Sequence, residues 1–156
     1  MIVVSGGQTG IDRAALDAAK AFGYAAAGCC PLGRRAEDGM IAQSYPLQET
    51  TTAFYVHRTR LNVRDSDATL VLALNELRGG TALAVYFARR MGKPCHIVDL
   101  AAEPRPARST LMWLDTHQPS RLNIGGPRAS QGDNAYARGF QFCEALLSAA
   151  YSGRRV

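Results

Sequence analysis

Three short stretches place glycine where a chain can hold an anion. They are Gly6-Gly7-Gln8-Thr9-Gly10, Gly79-Gly80-Thr81 and Gly125-Gly126-Pro127. Each follows an apolar run of strand character and precedes a helical pattern. Glycine lets the backbone approach a ligand closely and reach positive φ. A helix N-terminus adds unpaired N–H groups and the positive end of its dipole, a combination that suits phosphate. One junction alone says little, because any strand-to-helix turn favours glycine and Thr9 with Asp12 also matches a helix capping box. Several junctions at one sheet edge make a cup, and neighbouring first and third strands would put two of them on one crevice. The predicted phosphate contacts are Gly6, Gly7, Gln8, Thr9, Gly10, Gly79, Gly80, Thr81 and Gly126.

A charged stretch, CCPLGRRAEDG, follows the second strand at the same sheet edge. Arg35, Glu37 and Asp38 offer donors and acceptors for a polar ring, and they join the predicted binding residues; a solvated loop explains them equally well. Asn62, Arg64, Asp65 and Asp67 precede the third strand and are read as lying at the far end of the sheet, with Asp65-Ser66-Asp67 a turn.

Other chemistries lack their residues. There is no G-x-x-x-x-G-K-[ST], no G-x-G-x-x-G and no G-x-S-x-G, so a nucleoside triphosphatase loop, a standard dinucleotide site and a hydrolase elbow are not expected. Cys29 and Cys30 are adjacent while Cys95 and Cys143 stand alone, so no C-x-x-C pair offers itself to a metal and the thiols are read as structural. No catalytic triad can be assembled from spacing, and Trp113 reads as a packing anchor.

These residues need elements to hold them. Five runs read as strands: Met1 to Ser5, Tyr24 to Gly28, Ala68 to Leu74, Pro94 to Leu100 and Leu122 to Gly125. ATLVLAL is apolar almost throughout, as strands covered on both faces are. Helical patterns begin at Ile11, run from Thr52 to Arg64 and from Gly80 to Met91, span Ser109 to Thr116, and end the chain with Tyr136, Phe140, Cys143, Leu147 and Ala150 on one face. The alternation predicts a single α/β domain over residues 1–156, a mainly parallel sheet of about five strands with helices on both faces. The segment Cys29 to Thr51 has weak periodicity and carries Pro31, Gly33, Gly39 and Pro46, the mark of a functional or mobile loop.

The net charge is +5 over 156 residues, and lysine occurs only at positions 20 and 93. Arginine suits phosphate and carboxylate, though compositional bias accounts for it as well. The arginines form no basic run, so an acidic small ligand is expected rather than nucleic acid. No apolar run approaches the ~20 residues of a membrane helix. The strand-like start leaves no room for a signal peptide, which predicts a cytoplasmic protein.

In order, IVVSGGQTGIDRAALDA, CCPLGRRAEDGMI, LNVRDSDATLVL, RGGTALA, RRMGKPC and LNIGGPRAS resemble the motifs of the family named putative molybdenum carriers, over roughly residues 2 to 147. The resemblance implies a Rossmann-like, doubly wound three-layer sandwich, related to the lonely-guy phosphoribohydrolases long labelled lysine decarboxylases. It implies binding of the molybdenum cofactor (molybdopterin), with its phosphate on the glycine loops and its pterin edge near Arg35, Glu37 and Asp38, and a homo-oligomer, dimer or tetramer. Metal arrives on the cofactor, since no residue is a dedicated metal ligand. The related hydrolases carry P-G-G-x-G-T-x-x-E, whose glutamate serves catalysis. Here Leu77-Arg78-Gly79-Gly80-Thr81 is followed by ALAVYFA without a carboxylate. The departure predicts a binding protein rather than an enzyme; a nucleotide sensor or a hydrolase of the wider group is the alternative.

Overall fold

The computed structural model describes residues 1–152. Its strands are β1 (Ile2–Val4), β2 (Ala25–Ala27), β3 (Cys29–Cys30), β4 (Arg35–Ala36), β5 (Gly39–Met40), β6 (Gln48–Glu49), β7 (Ala68–Ala73), β8 (Cys95–Asp99) and β9 (Arg121–Gly125). Its helices are α1 (Ile11–Ala21), α2 (Tyr55–Arg64), α3 (Gly79–Arg90), α4 (Arg108–His117) and α5 (Ala135–Ser152). β1, β2, β7, β8 and β9 form one wholly parallel sheet in the order β2-β1-β9-β7-β8. The expected α/β, Rossmann-like layout is present, but β9 stands between the first and third strands. Val3 pairs with Leu122, and Leu70 with Ile124. β1 and β7 are therefore not neighbours, and the third glycine junction lies between the other two.

The apolar periodicity explains the layers. β7 is buried along its whole length. Leu70 and Leu72 face a core shared with Ile11, Ala15 and Ala18 of α1 and Phe142, Cys143 and Leu146 of α5. Val71 faces the other way, onto Val63 of α2 and Ala84, Val85 and Ala88 of α3. Both faces of the sheet are thus covered, as a parallel sheet requires. On α5 the expected face is met at Cys143 and Leu147, which are buried, and at Phe140, which packs on the same core; the buried face extends to Phe142 and Leu146, and Tyr136 is 43% exposed. The reason is the close crossing with α1. A Cβ at Gly139 would lie 2.7 Å from Ile11 Cδ1 and 3.2 Å from Ala14 Cβ, so this glycine turns inward.

Helix ends also follow local chemistry. Lys93 donates to the carbonyls of Val63, Arg64 and Ser66, which closes α2 at its negative end. α2 begins three residues later than Thr52, because Thr52 gives its carbonyl to Leu32 N–H and to the Thr50 hydroxyl. The proposed capping box at α1 does not form. Gly10 is the N-cap, and the Thr9 hydroxyl donates to Glu37 instead.

The segment without periodicity is built around one side chain. Arg34 is buried and donates to four carbonyls, those of Ile41 (2.9 Å), Leu47 (3.0 Å), Ala42 (2.8 Å) and Tyr45 (3.0 Å). Around it Cys30, Ala36, Ile41 and Leu47 pack on Leu16 of α1, and the short pairs β3–β6 and β4–β5 close the loop. Arg34→Ala is predicted to cost on the order of 3 kcal/mol in urea unfolding, since charged hydrogen bonds are lost and buried carbonyls are left unpaired. Arg34→Lys is predicted to recover little, because an ammonium cannot span a fan of four acceptors.

Candidate functional site

Parallel strands leave their carboxyl ends, and the helix N-termini that follow, along one edge. Here the ends of β1, β9 and β7 open onto a cleft of about 290 Å³. Gly6 and Gln8 come from the loop after β1, Asn123, Gly125 and Gly126 from the end of β9, and Gly79, Gly80 and Thr81 from the start of α3. All three glycine junctions therefore meet at the cleft. The fourth wall is α2, whose Tyr55, Arg58, Thr59 and Asn62 recur at helical spacing down one face. Asn62, expected at the remote end of the sheet, thus faces the cleft; both arms of its amide hold the backbone of Cys29.

The junctions are not equivalent. In the first, glycine makes room for the protein itself. A Cβ at Gly6 would fall 2.0 Å from a guanidinium nitrogen of Arg58, and one at Gly7 would fall 2.5 Å from Leu47 Cδ1. Gly10 faces the Pro127 carbonyl at 2.5 Å in the same sense. The N–H groups there are also engaged: Gln8 donates to Asp12, Thr9 to the Gln8 side chain and Ile11 to the Pro127 carbonyl. The α3 junction is open. A Cβ at Gly80 would meet only Thr59 Oγ1, at 3.9 Å. Thr81 N–H reaches back to the Arg78 carbonyl, while no acceptor among the described residues takes the N–H of Gly79 or Gly80.

Facing this open helix start is a buried ion pair. Arg58 and Asp12 approach to 3.1 Å, with side chains 13% and 5% exposed. Burial raises the Asp12 pKa; Arg58 and the N–H groups of Gln8 and Gly126 partly offset that rise. Arg58 Nε is buried and has no hydrogen-bond partner. Arg128 Nε is in the same condition: it lies 3.4 Å from Glu37 Oε2, near enough for charge attraction but without hydrogen-bond alignment. A second cavity of about 610 Å³, lined by Asn75, Leu77, Arg78 and Ser130, adjoins the first across Thr81 and Gln131. Such an arrangement can take an anion at the α3 start and a larger polar group beside it.

The model of the circularly permutated YpsA SLOG family matches residues 3–147. The chain belongs to that family. Among solved structures it is similar to the "putative molybdenum carrier protein" of Syntrophus aciditrophicus SB, at 40% identity over 94% of each chain and a TM-score of 0.89. No curated protein matches it. Among the described residues no helix is long and apolar enough to cross a membrane, and no group of His, Cys, Asp and Glu is arranged to hold a metal ion.

Of the residues singled out by sequence, Gly6, Gln8, Gly79, Gly80, Thr81 and Gly126 line the cleft. Gly7, Thr9 and Gly10 are packed behind it. Arg35 lies over the Tyr55 ring at 5.6 Å. Asp38 is paired with Arg13 at 2.5 and 2.8 Å. Glu37 accepts from Thr9, from Ser130 N–H (3.2 Å) and from the Ser130 hydroxyl (2.5 Å), so it laces its loop to the segment after β9. The sequence offers Asp12 only as a capping-box residue and does not single out Arg58, Asn123 and Arg128. The one signal for Arg58 was the polar stripe Tyr55, Arg58, Thr59, Asn62 on a helix that packs against a sheet.

These carboxylates make an acid-stability prediction. Desolvation pushes the Glu37 pKa up, but the Ser130 and Thr9 bonds and the Arg128 charge outweigh it, and the net shift is below the usual 4.5. The Arg13 bonds likewise hold Asp38 below its usual 3.8. A depressed folded-state pKa gives stability that is full above the unfolded value and is lost as pH falls through the folded one. The melting temperature is predicted to drop as pH is lowered below about 4.5, and Glu37→Gln is predicted to make that drop shallower. An equally steep drop in the variant would remove Glu37 from the account.

Proposed function

We propose that this protein binds a phosphorylated small molecule in the cleft at the α3 start and carries the molybdenum cofactor there without transforming it. The observation that carries this reading is that Gly79 and Gly80, whose N–H groups have no acceptor among the described residues, share one cleft with the Arg58 guanidinium. Helix-start amides and a guanidinium are complementary to a tetrahedral oxyanion. The relative's printed name, a molybdenum carrier, supports the identity of the cargo. The residues present fit such a ligand: Gly79, Gly80, Thr81 and Arg58 would hold the phosphate, and the adjoining cavity offers Asn75, Arg78 and Ser130 to a ring that both donates and accepts. When bound, the cofactor itself supplies the metal-binding chemistry. A homo-oligomer in the cytoplasm is part of the same reading.

One observation favours a second reading, a nucleotide sensor or a nucleotide-processing hydrolase. The missing glutamate after Gly79-Gly80-Thr81 led to the expectation of no catalysis, yet Asp12 brings a carboxyl to the cleft from a different helix. A carboxyl with its pKa raised by burial is suited to general acid catalysis.

Equilibrium titration with molybdopterin is predicted to show saturable binding. Gly80→Asp, which fits sterically but sets a carboxylate against the anion, is predicted to weaken it at least about tenfold, roughly 1.4 kcal/mol, with the melting temperature little changed. Tight binding of a nucleoside monophosphate with none of molybdopterin would favour the second reading. Release of free base from that monophosphate, abolished by Asp12→Asn, would establish the hydrolase.

A further inference from the structure

The Asp12–Arg58 pair joins α1 to α2 and lines the cleft. Its setting has three features. Arg58 lies over Gly6, so close that any side chain at position 6 would displace the guanidinium. One guanidinium nitrogen is 3.1 Å from Asp12, while Nε is buried without an acceptor. Thr59, next to Arg58 on α2, is the nearest atom to the open face of Gly80. The arginine is therefore held by one carboxylate, and it lines the same cleft as the helix start of Gly79, Gly80 and Thr81, where an anion would dock.

We propose that Arg58 is the charged contact for a tetrahedral oxyanion and that Asp12, sharing this arginine, takes up a proton when the oxyanion binds. The proposal rests on the anion-binding reading given above and adds the recognising residue and a pH dependence. The physical reason is like-charge competition in a desolvated place. Asp12 faces Arg58 of α2, the N–H groups of Gln8 and Gly126 and, at the rim of the same cleft, Arg128, whose charge is already opposed by Glu37. A second negative charge on Arg58 leaves Asp12 with less compensation, and a buried carboxylate answers by protonating. Burial already favours the protonated carboxyl before any ligand arrives. The pKa of Asp12 is then higher in the complex than in the free protein. Affinity is accordingly greatest at low pH, declines as pH rises from the pKa of the free form to the higher pKa of the complex, and levels off above it.

The oxyanion has two sources, a free inorganic anion or the phosphoryl group of a larger molecule. Molybdate and a nucleoside 5′-monophosphate serve as the two probes. Calorimetric titrations between pH 5 and 9, in buffers of different ionisation heat, read affinity and protons exchanged per anion bound. Wild-type protein is expected to take up protons with at least one probe, with affinity falling as pH rises. The probe that binds identifies the source. Asp12→Asn is expected to bind at least as tightly, with the protein's share of the proton uptake gone, the ligand's own titration cancelling in the comparison with wild type. Arg58→Lys is expected to lose tenfold or more, because an ammonium keeps the charge but lacks the forked donors of a guanidinium. Should Arg58→Lys unfold, the double variant Asp12→Asn, Arg58→Gln replaces the ion pair by two neutral amides, leaves no buried charge unpaired and is expected to show the same loss. Binding with a pH profile identical in Asp12→Asn would overturn the proton coupling and leave the anion site standing. Unchanged affinity in the Arg58 variants would overturn Arg58 as the contact. No binding of either probe at any pH would overturn both this proposal and the reading on which it rests.

Discussion

A buried carboxylate and a buried guanidinium, 3.1 Å apart, tie the two sides of this protein together. Asp12 stands in the first turn of α1, on one face of the sheet; Arg58 stands on α2, on the other. Each would be costly alone in a desolvated place, and together they remain so unless further hydrogen bonds complete them. Asp12 is completed by the backbone of Gln8 and Gly126. Arg58 is not, since its Nε has no acceptor. The guanidinium occupies the space that a side chain at Gly6 would take. The strand order matters for the same reason: β9 between β1 and β7 brings Gly126 to Asp12 and sets the cleft over three strand ends rather than two.

The fold was legible in the sequence because it depends on periodicity. ATLVLA could only be a strand covered on both faces, and Ile11, Ala15 and Ala18 could only be the inner stripe of a helix. The strand order was not legible, since β9 carries no mark that it inserts between earlier strands. On α5 the stripe holds at Phe140, Cys143 and Leu147 but not at Tyr136, because the helix start is set by Gly139 against α1, a residue that contributes nothing to an apolar count. The segment from Cys29 to Thr51 looked unstructured because its organiser is Arg34, a charged residue satisfied entirely by backbone carbonyls.

The candidate site was legible only where backbone does the work. The glycines after three strands meet at the cleft, as spacing suggested, yet the chain does not announce which glycines admit a ligand and which admit its own side chains. Gly80 faces open space and Gly7 faces Leu47, a difference made wholly by tertiary packing. The charged loop was ambiguous for a similar reason. Glu37 and Asp38 are engaged by Ser130 and Arg13, partners too distant in sequence for any spacing to reveal. Arg58 was hidden in a polar helix face. Membership of the circularly permutated YpsA SLOG family and the likeness to a crystallised relative agree with the architecture, and the chemistry proposed for the cleft stands on its residues.

The central claim is that the ligand's anion sits between Arg58 and the open start of α3. Crystals soaked in molybdate, with diffraction collected at the molybdenum absorption edge, test it most directly. The account predicts an anomalous peak in the cleft within hydrogen-bond reach of the Gly80 N–H and the Arg58 guanidinium. A peak at the Gly7–Gly10 loop or on surface arginines, with the cleft vacant, would contradict it.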